Sequence, residues 1–572
     1  MDLEEIKSTE IWALYEKAVS YCRMLGMFSD TDLNNRMYNG DQWHGLKIVG
    51  VEKVQYNIIK PVVRYKVGII MTNLYGINYS SENFEDREFK KLADRVCKLL
   101  NKRAANIWEK DYMDLKLRLI VKNAAIDDEG VIYVTLDPET KLPTNEILNK
   151  TDVFYGNEND SDIQSQPYIL IKKRMSVVEA QQLAMDNGVS EEMASMIIGD
   201  NDNLEQAGEA AKYEKDPMCT VVTKLYKSEG KVRYSMATRY VDIKTDKASG
   251  MTLYPLAHMT WETKPGSSRG EGEVRQLIPN QLEINKTAMR RAITVKNTAF
   301  QQKIVNIDRI QNPDDIDKVG TTIKTKGQQV DDVAKIFNYV KPAQMSPDAE
   351  KVLNELISMT RELAGAGEVA TGQINPENAS GRAILAVKQA TEQPLSEHLT
   401  YTKAFVEDLS RIWLDMIIAY NSEITLEEEV TDPVSGEKYI QPVKVKRVTL
   451  KALKPVVKVD ITPRGAFDKY AQEQSMENLL KAGLFRSDRM PELKLYVQTL
   501  DDDAVMPKQK LMDMIEEWEN EQKKIAQIEQ QGQLMKQRMQ QFISGDPRQQ
   551  AAQIAAARQQ LMQSGGGMAL PQ

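Results

Sequence analysis

The sequence predicts a mainly α-helical chain with smaller β elements, an α+β protein of several domains. Three observations carry this. The chain has 572 residues, too long for one hydrophobic core. Long stretches place apolar residues at helical spacing, above all Val274, Leu277, Leu282, Ile284, Ala288, Ala292 and Val295 within 271–305. Short β-branched runs bounded by turn signals, such as 131–136 and 167–172, read as strands.

Residues 1–38 read as helix, with Ile6, Ile11, Leu14, Ala18, Tyr21 and Leu25 near helical spacing. Asn39-Gly40-Asp41 is a turn, and Trp43 after it is an aromatic anchor. The apolar run 54–74 predicts a further helix, with Pro61 near its start, where the missing N–H does no harm. A helix over 85–125 presents Leu92, Val96, Leu99, Ala104 and Ile107, and Asp127-Asp128-Glu129-Gly130 ends it. After the strands 131–136 and 167–172, Ser176 and Glu179 form a capping box that opens a helix. The polar segment 199–217 reads as mobile, and strands resume at 220–226, 232–240 and 252–256. Residues 1–265 thus read as one mixed domain.

A helix of about 30 residues at 271–305 would span about 45 Å at about 1.5 Å per residue. A turn-rich interval with short strands at 320–324 and 333–337 separates it from a second helix that starts at 347–348 and ends near Ala364. A loop at 365–376 follows, then a long helix over 377–424. In that helix Pro394 should produce a kink, and Asn378 or Ser380 can cap its start. Strands at 443–448 and 455–461 join through a turn at 433–436, and helices resume at 467–482, 491–499 and 508–562, the last broken at 544–547. The last of these has only a narrow apolar stripe and needs copies of itself beside it.

Composition and motifs exclude more than they assign. The 75 Lys and Arg against 83 Asp and Glu leave a net charge of −8, unlike a dedicated duplex binder with its basic excess. Cys22, Cys97 and Cys219 are widely spaced and read as buried free thiols in a reducing compartment. No apolar run is long enough to span a membrane, and the acidic start does not read as a signal peptide, so maturation in the cytosol is expected. Residues 266–270 match GxSxG but follow Lys264-Pro265 rather than a strand, and read as linker. No Walker A, HExxH or Cys/His cluster occurs, so no cofactor or metal is expected. The acidic runs 501–503 and Asp314-Asp315-x-Asp317 would suit a metal-dependent nuclease, but read more simply as solvated turns or caps.

Two constellations remain. The loop 365–376 carries Gly365, Gly367 and Gly372 among Glu368, Thr371, Gln373 and Asn375, so its backbone can change shape cheaply. Lys286, Arg290, Arg291 and Lys296 form a basic cluster on the first long helix, with Lys286 and Arg290 on one face. They read either as a solvated face or as cations meeting phosphates or a neighbour's acidic helix.

The ordered phrases NGDQW, GEVRQLIPNQLEINK, GQINPENASGRAI and VDITPRGAFDKYAQEQ resemble portal proteins of tailed bacteriophages over about residues 30–525. The resemblance implies the portal fold, a multi-domain subunit of a cyclic ring, a dodecamer, around a central channel for double-stranded DNA. It implies a wing over 1–270 with a β segment at 425–465, stem helices at 271–305 and 346–364, and a clip at 306–345. It further implies a channel loop at 365–376, a long kinked helix at 377–424 and a crown at 466–525. Residues 526–572 would form a Gln-rich helical barrel or a disordered tail. The implied partners are other copies of the chain, viral DNA, terminase, the major capsid protein, scaffold and head-completion or tail adaptor proteins, with no membrane. The implied place is the capsid portal vertex of the virion, after assembly in the bacterial cytoplasm. The function would be mechanical rather than enzymatic: genome packaging and ejection through the ring. Another virion structural or adaptor protein with long helices is the alternative, and a nuclease a remote one.

Overall fold

The computed structural model describes residues 8–47, 53–81, 87–200, 217–299, 303–318, 320–327, 336–340, 348–367, 393–431, 438–453 and 455–463, with Gly532, Gln533 and Lys536 beyond them. Residues 1–462 form one compact unit and 463–572 a second. The elements below fall in the first, the last strand reaching the boundary.

The expected helix over 1–38 is two helices, α1 (Glu10–Met24) and α2 (Met27–Asn39). Thr9 caps α1 by accepting the Trp12 N–H. Gly26 turns the chain between them at φ +78°, which is cheap only for glycine. The run 54–74 ends early as a helix: α3 is Ile59–Ile70, and β1 (Asn73–Ser80) takes over. The stretch 85–125 likewise breaks at Tyr112, φ +51°, into α4 (Arg87–Lys110) and α5 (Met113–Asp127).

The sheet region runs β2 (Glu129–Leu136), β3 (Pro143–Leu148), β4 (Val153–Tyr155), β5 (Tyr168–Ser176), α6 (Val177–Asp186) and α7 (Glu191–Ala194). It continues β6 (Met218–Ser228), β7 (Lys231–Ala237), β8 (Asp242–Ala248) and β9 (Leu256–Thr260). Strands β4-β5-β6-β7-β8 form an antiparallel meander and β3-β2-β9 a second antiparallel sheet. Alternation sends neighbouring side chains to opposite faces. Leu170 and Val222 meet Ile11, Trp12 and Tyr15 of α1, while Val221 and Ile243 meet Val177 and Ala180 of α6. The Ser176–Glu179 capping box is formed, each side chain accepting the other's backbone N–H. The strand expected at 252–256 lies at β9 instead, where pairing with β2 fixes it. Strand β8 escaped notice because only Ile243 and Lys244 of its seven residues leave the exposed class.

Helix α8 (Glu273–Ala299) is followed by β10 (Lys303–Val305), β11 (Phe337–Tyr339) and α9 (Asp348–Leu363). Residues 320–324 form no strand, and Thr325 beside them makes an isolated bridge to Ile310. Of the strand expected at 333–337, Phe337 opens β11 and 333–335 lie outside the described residues. A 3₁₀ turn, Gln393–Leu395, leads into α10 (Ser396–Tyr420). Then come the hairpin β12 (Glu423–Thr431) and β13 (Lys438–Lys446), α11 (Arg447–Leu453) and β14 (Val456–Pro463), which pairs with β1. Residues 447–448 are helical rather than strand; the expected turn at 433–436 and the helices beyond 466 lie outside the described residues, apart from Gly532, Gln533 and Lys536, which are helical.

Helix α10 is the centre of the main core. Phe405, Leu409, Ile412, Trp413 and Ile417 are buried, each such side chain stabilising the fold by roughly 1.5–3 kcal/mol. The Trp413 indole donates to Asn145 Oδ1 at 2.9 Å, so its one polar atom is satisfied. The three cysteines are buried free thiols, pushed up by burial to about 12 for Cys22 and about 11 for Cys97 and Cys219.

Candidate functional site

The first half of α8 is rooted in the core by Val274, Leu277, Ile284 and Ala288. Two amides share that buried side, Gln281 and Asn285, each 1% exposed. A buried amide is costly unless every group is paired. Here Gln281 Oε1 accepts the Ile58 N–H at 2.9 Å, and its Nε2 donates to the Tyr56 carbonyl at 2.6 Å. Asn285 Oδ1 accepts the Tyr56 N–H at 3.2 Å, and its Nδ2 donates to Gln42 Oε1 at 2.5 Å. The chain before α3 is therefore strapped to α8. The phrases NGDQW and GEVRQLIPNQLEINK meet in space at Gln42 and Asn285. Trp43 acts as the expected anchor, its indole donating to the Val54 carbonyl at 3.1 Å. Sequence reading missed the amides, although their i,i+4 spacing among apolar residues was a usable signal.

The second half of α8 emerges from that core and packs against α9. Arg291 near the end of α8 reaches Glu350 at the start of α9 at 3.0 Å, so the two helices run antiparallel. Leu353 is buried and Leu356 and Ile357 are half-buried along α9. Of the other basic candidates, Lys286 and Arg290 both face Glu283, at 3.7 and 3.3 Å. Lys296 is exposed near the helix end. Exposed pairs of this kind contribute about 0–1 kcal/mol each, so the apolar contacts hold the two helices together. Apolar surface is left over along the same arm: Val295, Val352, Met359 and Leu363 on the helices, Ile304 and Ile307 beyond them. Leu363 is 82% exposed.

Gly365 closes α9. At φ +68° it donates to the Glu362 carbonyl while Ala366 donates to Arg361, the paired bonds of a Schellman cap. Gly365 is thus part of the helix stop, and Gly367 follows it. Glu368, Thr371, Gly372, Gln373, Asn375, Asn378 and Ser380 lie outside the described residues. Pro394 sits in the 3₁₀ turn before α10; the stretch of the expected long helix before it also lies outside.

The residues 266–270 are no exposed linker. Ser268 and Arg269 are buried. The Arg269 guanidinium donates to Glu158 at 3.0 Å, to the Val153 carbonyl at 2.9 Å and to Glu129. Ser268 Oγ donates to Glu158 Oε2 at 2.7 Å, and His258 Nε2 lies 2.9 Å from Glu129 Oε2. The hydroxyl is thus spent on a carboxylate. Neither His258 nor His398 is recorded as its partner, so no hydrolase elbow exists here. Gly270 and Gly272 let the backbone pass against residues 125–128 and 260–262, where a Cβ would meet backbone atoms at 2.4 and 2.9 Å.

Three consecutive carboxyls at the end of α5 are divided by this cluster. Burial pushes Asp127 up to about 6 and Asp128 up to about 7, against the opposing pull of Asn35 and Lys150. Burial acts the same way on Glu129, but Arg269, His258 and Lys150 together outweigh it and hold that carboxyl at about 2.

His398, on the first turn of α10, is 6% exposed, and neither ring nitrogen has a partner among the described residues. Its ring centre lies 4.1 Å from that of Trp261, whose indole donates to Glu273, itself paired with Lys66 at 2.7 Å. Burial, then the Lys66 charge, lowers its pKa from 6.5 to about 4. Between those values the unfolded chain binds a proton that the folded chain refuses, so stability is lost as pH falls through that window. Wild type is expected to lose up to roughly 3 kcal/mol more than His398→Leu on going from pH 7 to pH 4. Urea midpoints across that range check it, and parallel pH profiles would contradict it.

No group of three or more His, Cys, Asp or Glu placed to hold a metal occurs among the described residues. Asp315 pairs with Lys318 at 2.7 Å and Asp317 with Lys303, as expected of solvated turns. Residues 501–503 lie outside the described residues. No helix among the described residues is long and apolar enough to cross a membrane.

The sequence model of one family, described as phage P22-like portal protein, matches residues 29–570. No curated protein matches the chain.

Proposed function

This chain belongs to the phage P22-like portal protein family, and on that premise we propose that twelve copies close into a ring around a channel that passes double-stranded DNA. The family places the protein at the capsid vertex of the virion, as a structural subunit of a homo-oligomeric ring working with capsid and DNA. In our reading, α8 and α9 are the stem and 306–345 the clip. Terminase docks on the clip to drive DNA inward, and head-completion or tail adaptor proteins replace it afterwards. The wing, residues 1–270 with 425–465, faces capsid protein and scaffold during assembly in the bacterial cytoplasm. Residues 466–525 form the crown and 526–572 a barrel or tail.

The observation that carries this reading is the arm built by α8 and α9. Its root is pinned by fully paired amides, yet Val295 toward the tip of α8 and Val352, Met359 and Leu363, in line along one side of α9, are left in water. Contiguous exposed apolar surface marks an interaction site. A heterologous contact whose rotation closes makes a ring of identical subunits. Lys286, Arg290, Arg291 and Lys296 then lie at the channel or against a neighbour, and the loop 365–376 reaches the lumen.

A virus lacking this gene is expected to assemble heads without DNA, with filling restored by supplying the protein in trans. DNA-filled heads in its absence, seen by electron microscopy of lysates, would contradict the proposal.

A further inference from the structure

Helix α4 buries Ala93, Val96, Cys97, Leu100, Ala104 and Ile107. Its opposite face is basic in a chain whose net charge is −8. Arg87, Lys91, Arg95, Lys98 and Lys102 are all exposed and recur at i, i+4, i+8, i+11 and i+15. At about 100° per residue they fall within an arc of about 80°, a single stripe about 22 Å long. Arg87, Lys91, Lys98 and Lys102 form no ion pair among the described residues. Two acids flank the stripe, Glu88 and Asp94, and Asp94 already accepts the Ser81 hydroxyl at 2.5 Å. The charges of Arg87, Lys91, Lys98 and Lys102 therefore stand in water.

We propose that this stripe is a sequence-independent contact for the phosphate backbone of duplex DNA. Protein partners fit it poorly. Interface cores are depleted in lysine and enriched in aromatic residues, whereas the stripe holds three lysines and no aromatic ring. Phosphate fits it well. Duplex DNA carries one charge per about 1.7 Å of axis with both strands counted, so the length of duplex beside a stripe of about 22 Å carries about 13 phosphates, more than the stripe has cations. Lysines on flexible stems neutralise such an array without reading bases. The helix is held to the core by its buried face, so the charges are presented in a row. The inference rests on the portal reading for the presence of duplex DNA beside this protein.

The test uses the full-length chain and a short fluorescent duplex of mixed sequence. The variant Arg87→Glu, Lys91→Glu, Lys98→Glu, Lys102→Glu is compared with a matched reversal of Lys17, Lys231, Lys247 and Lys264. Circular dichroism and electron micrographs of each preparation report folding and ring formation. Each phosphate contact contributes about 0.9 to the slope of log K against log salt. The stripe variant should lose at least about tenfold in affinity at low salt, and its slope should fall by about 3.6. The matched control should keep the wild-type slope. Equal slopes for all three proteins would overturn the proposal. So would wild-type DNA affinity in a stripe variant that fails only to enter heads, which would assign the stripe to an acidic protein surface. Absence of rings in the wild type would count against the portal reading, and the slopes would still decide the stripe.

Discussion

Arg269→Met is expected to destabilise the first unit by about 3–5 kcal/mol, the cost of removing one partner from a buried ion pair. Among the described residues, the guanidinium is the only cation within hydrogen-bond distance of either Glu129 or Glu158, apart from His258 on the far oxygen of Glu129. Both carboxylates are buried, with Glu129 fully out of solvent. Without Arg269 they either keep their charge in a low-dielectric site or take up protons, and both routes weaken the fold. The damage spreads because Arg269, on the segment leading into α8, ties together α1 through Cys22, the start of β2 through Glu129 and β9 through His258. Arg269→Lys should recover only part of the loss, since one ammonium cannot span two carboxylates with a planar fork. Adding Glu129→Gln to Arg269→Met should recover some stability by removing one uncompensated charge. Urea unfolding of the three variants decides this, and a loss under about 1 kcal/mol for Arg269→Met would refute the role given to the cluster.

The second large effect is functional. Deleting residues 367–375 should leave rings intact and reduce DNA-filled heads by orders of magnitude, through failed packaging or failed retention. The deletion begins after the Schellman cap at Gly365, so the stop of α9 survives it. The core helix α10 begins well beyond it, at Ser396. Counting full heads against empty ones in complemented lysates checks this. A normal yield of full heads would end the channel-loop proposal while leaving the ring untouched.

What was legible in the sequence follows from which signals are local. The start of α6 was readable because a capping box is a four-residue event, and Ser176 and Glu179 close it as expected. Helices α8 and α9 were readable from periodicity, since one apolar face repeats over many turns. The breaks at Gly26 and Tyr112 were not, because apolar spacing continues across them while only a positive φ marks the turn. Strands β3, β8 and β10 were missed for a related reason: their pairing partners, not their own residues, make them strands. The basic cluster on α8 was visible as a charge pattern, but its partners Glu283 and Glu350 needed the fold. The Arg269 cluster lay hidden behind a false GxSxG match. Its acids, Glu129 and Glu158, stand more than a hundred residues away in the chain.

The proposed ring requires that the surface left bare along α8 and α9 be completed by identical neighbours around an open passage. Electron microscopy of the purified full-length protein tests that most directly. Annular particles with a central hole wide enough for a duplex are the expected result. A uniform population of single subunits, at concentrations where relatives of this fold would assemble, would contradict it.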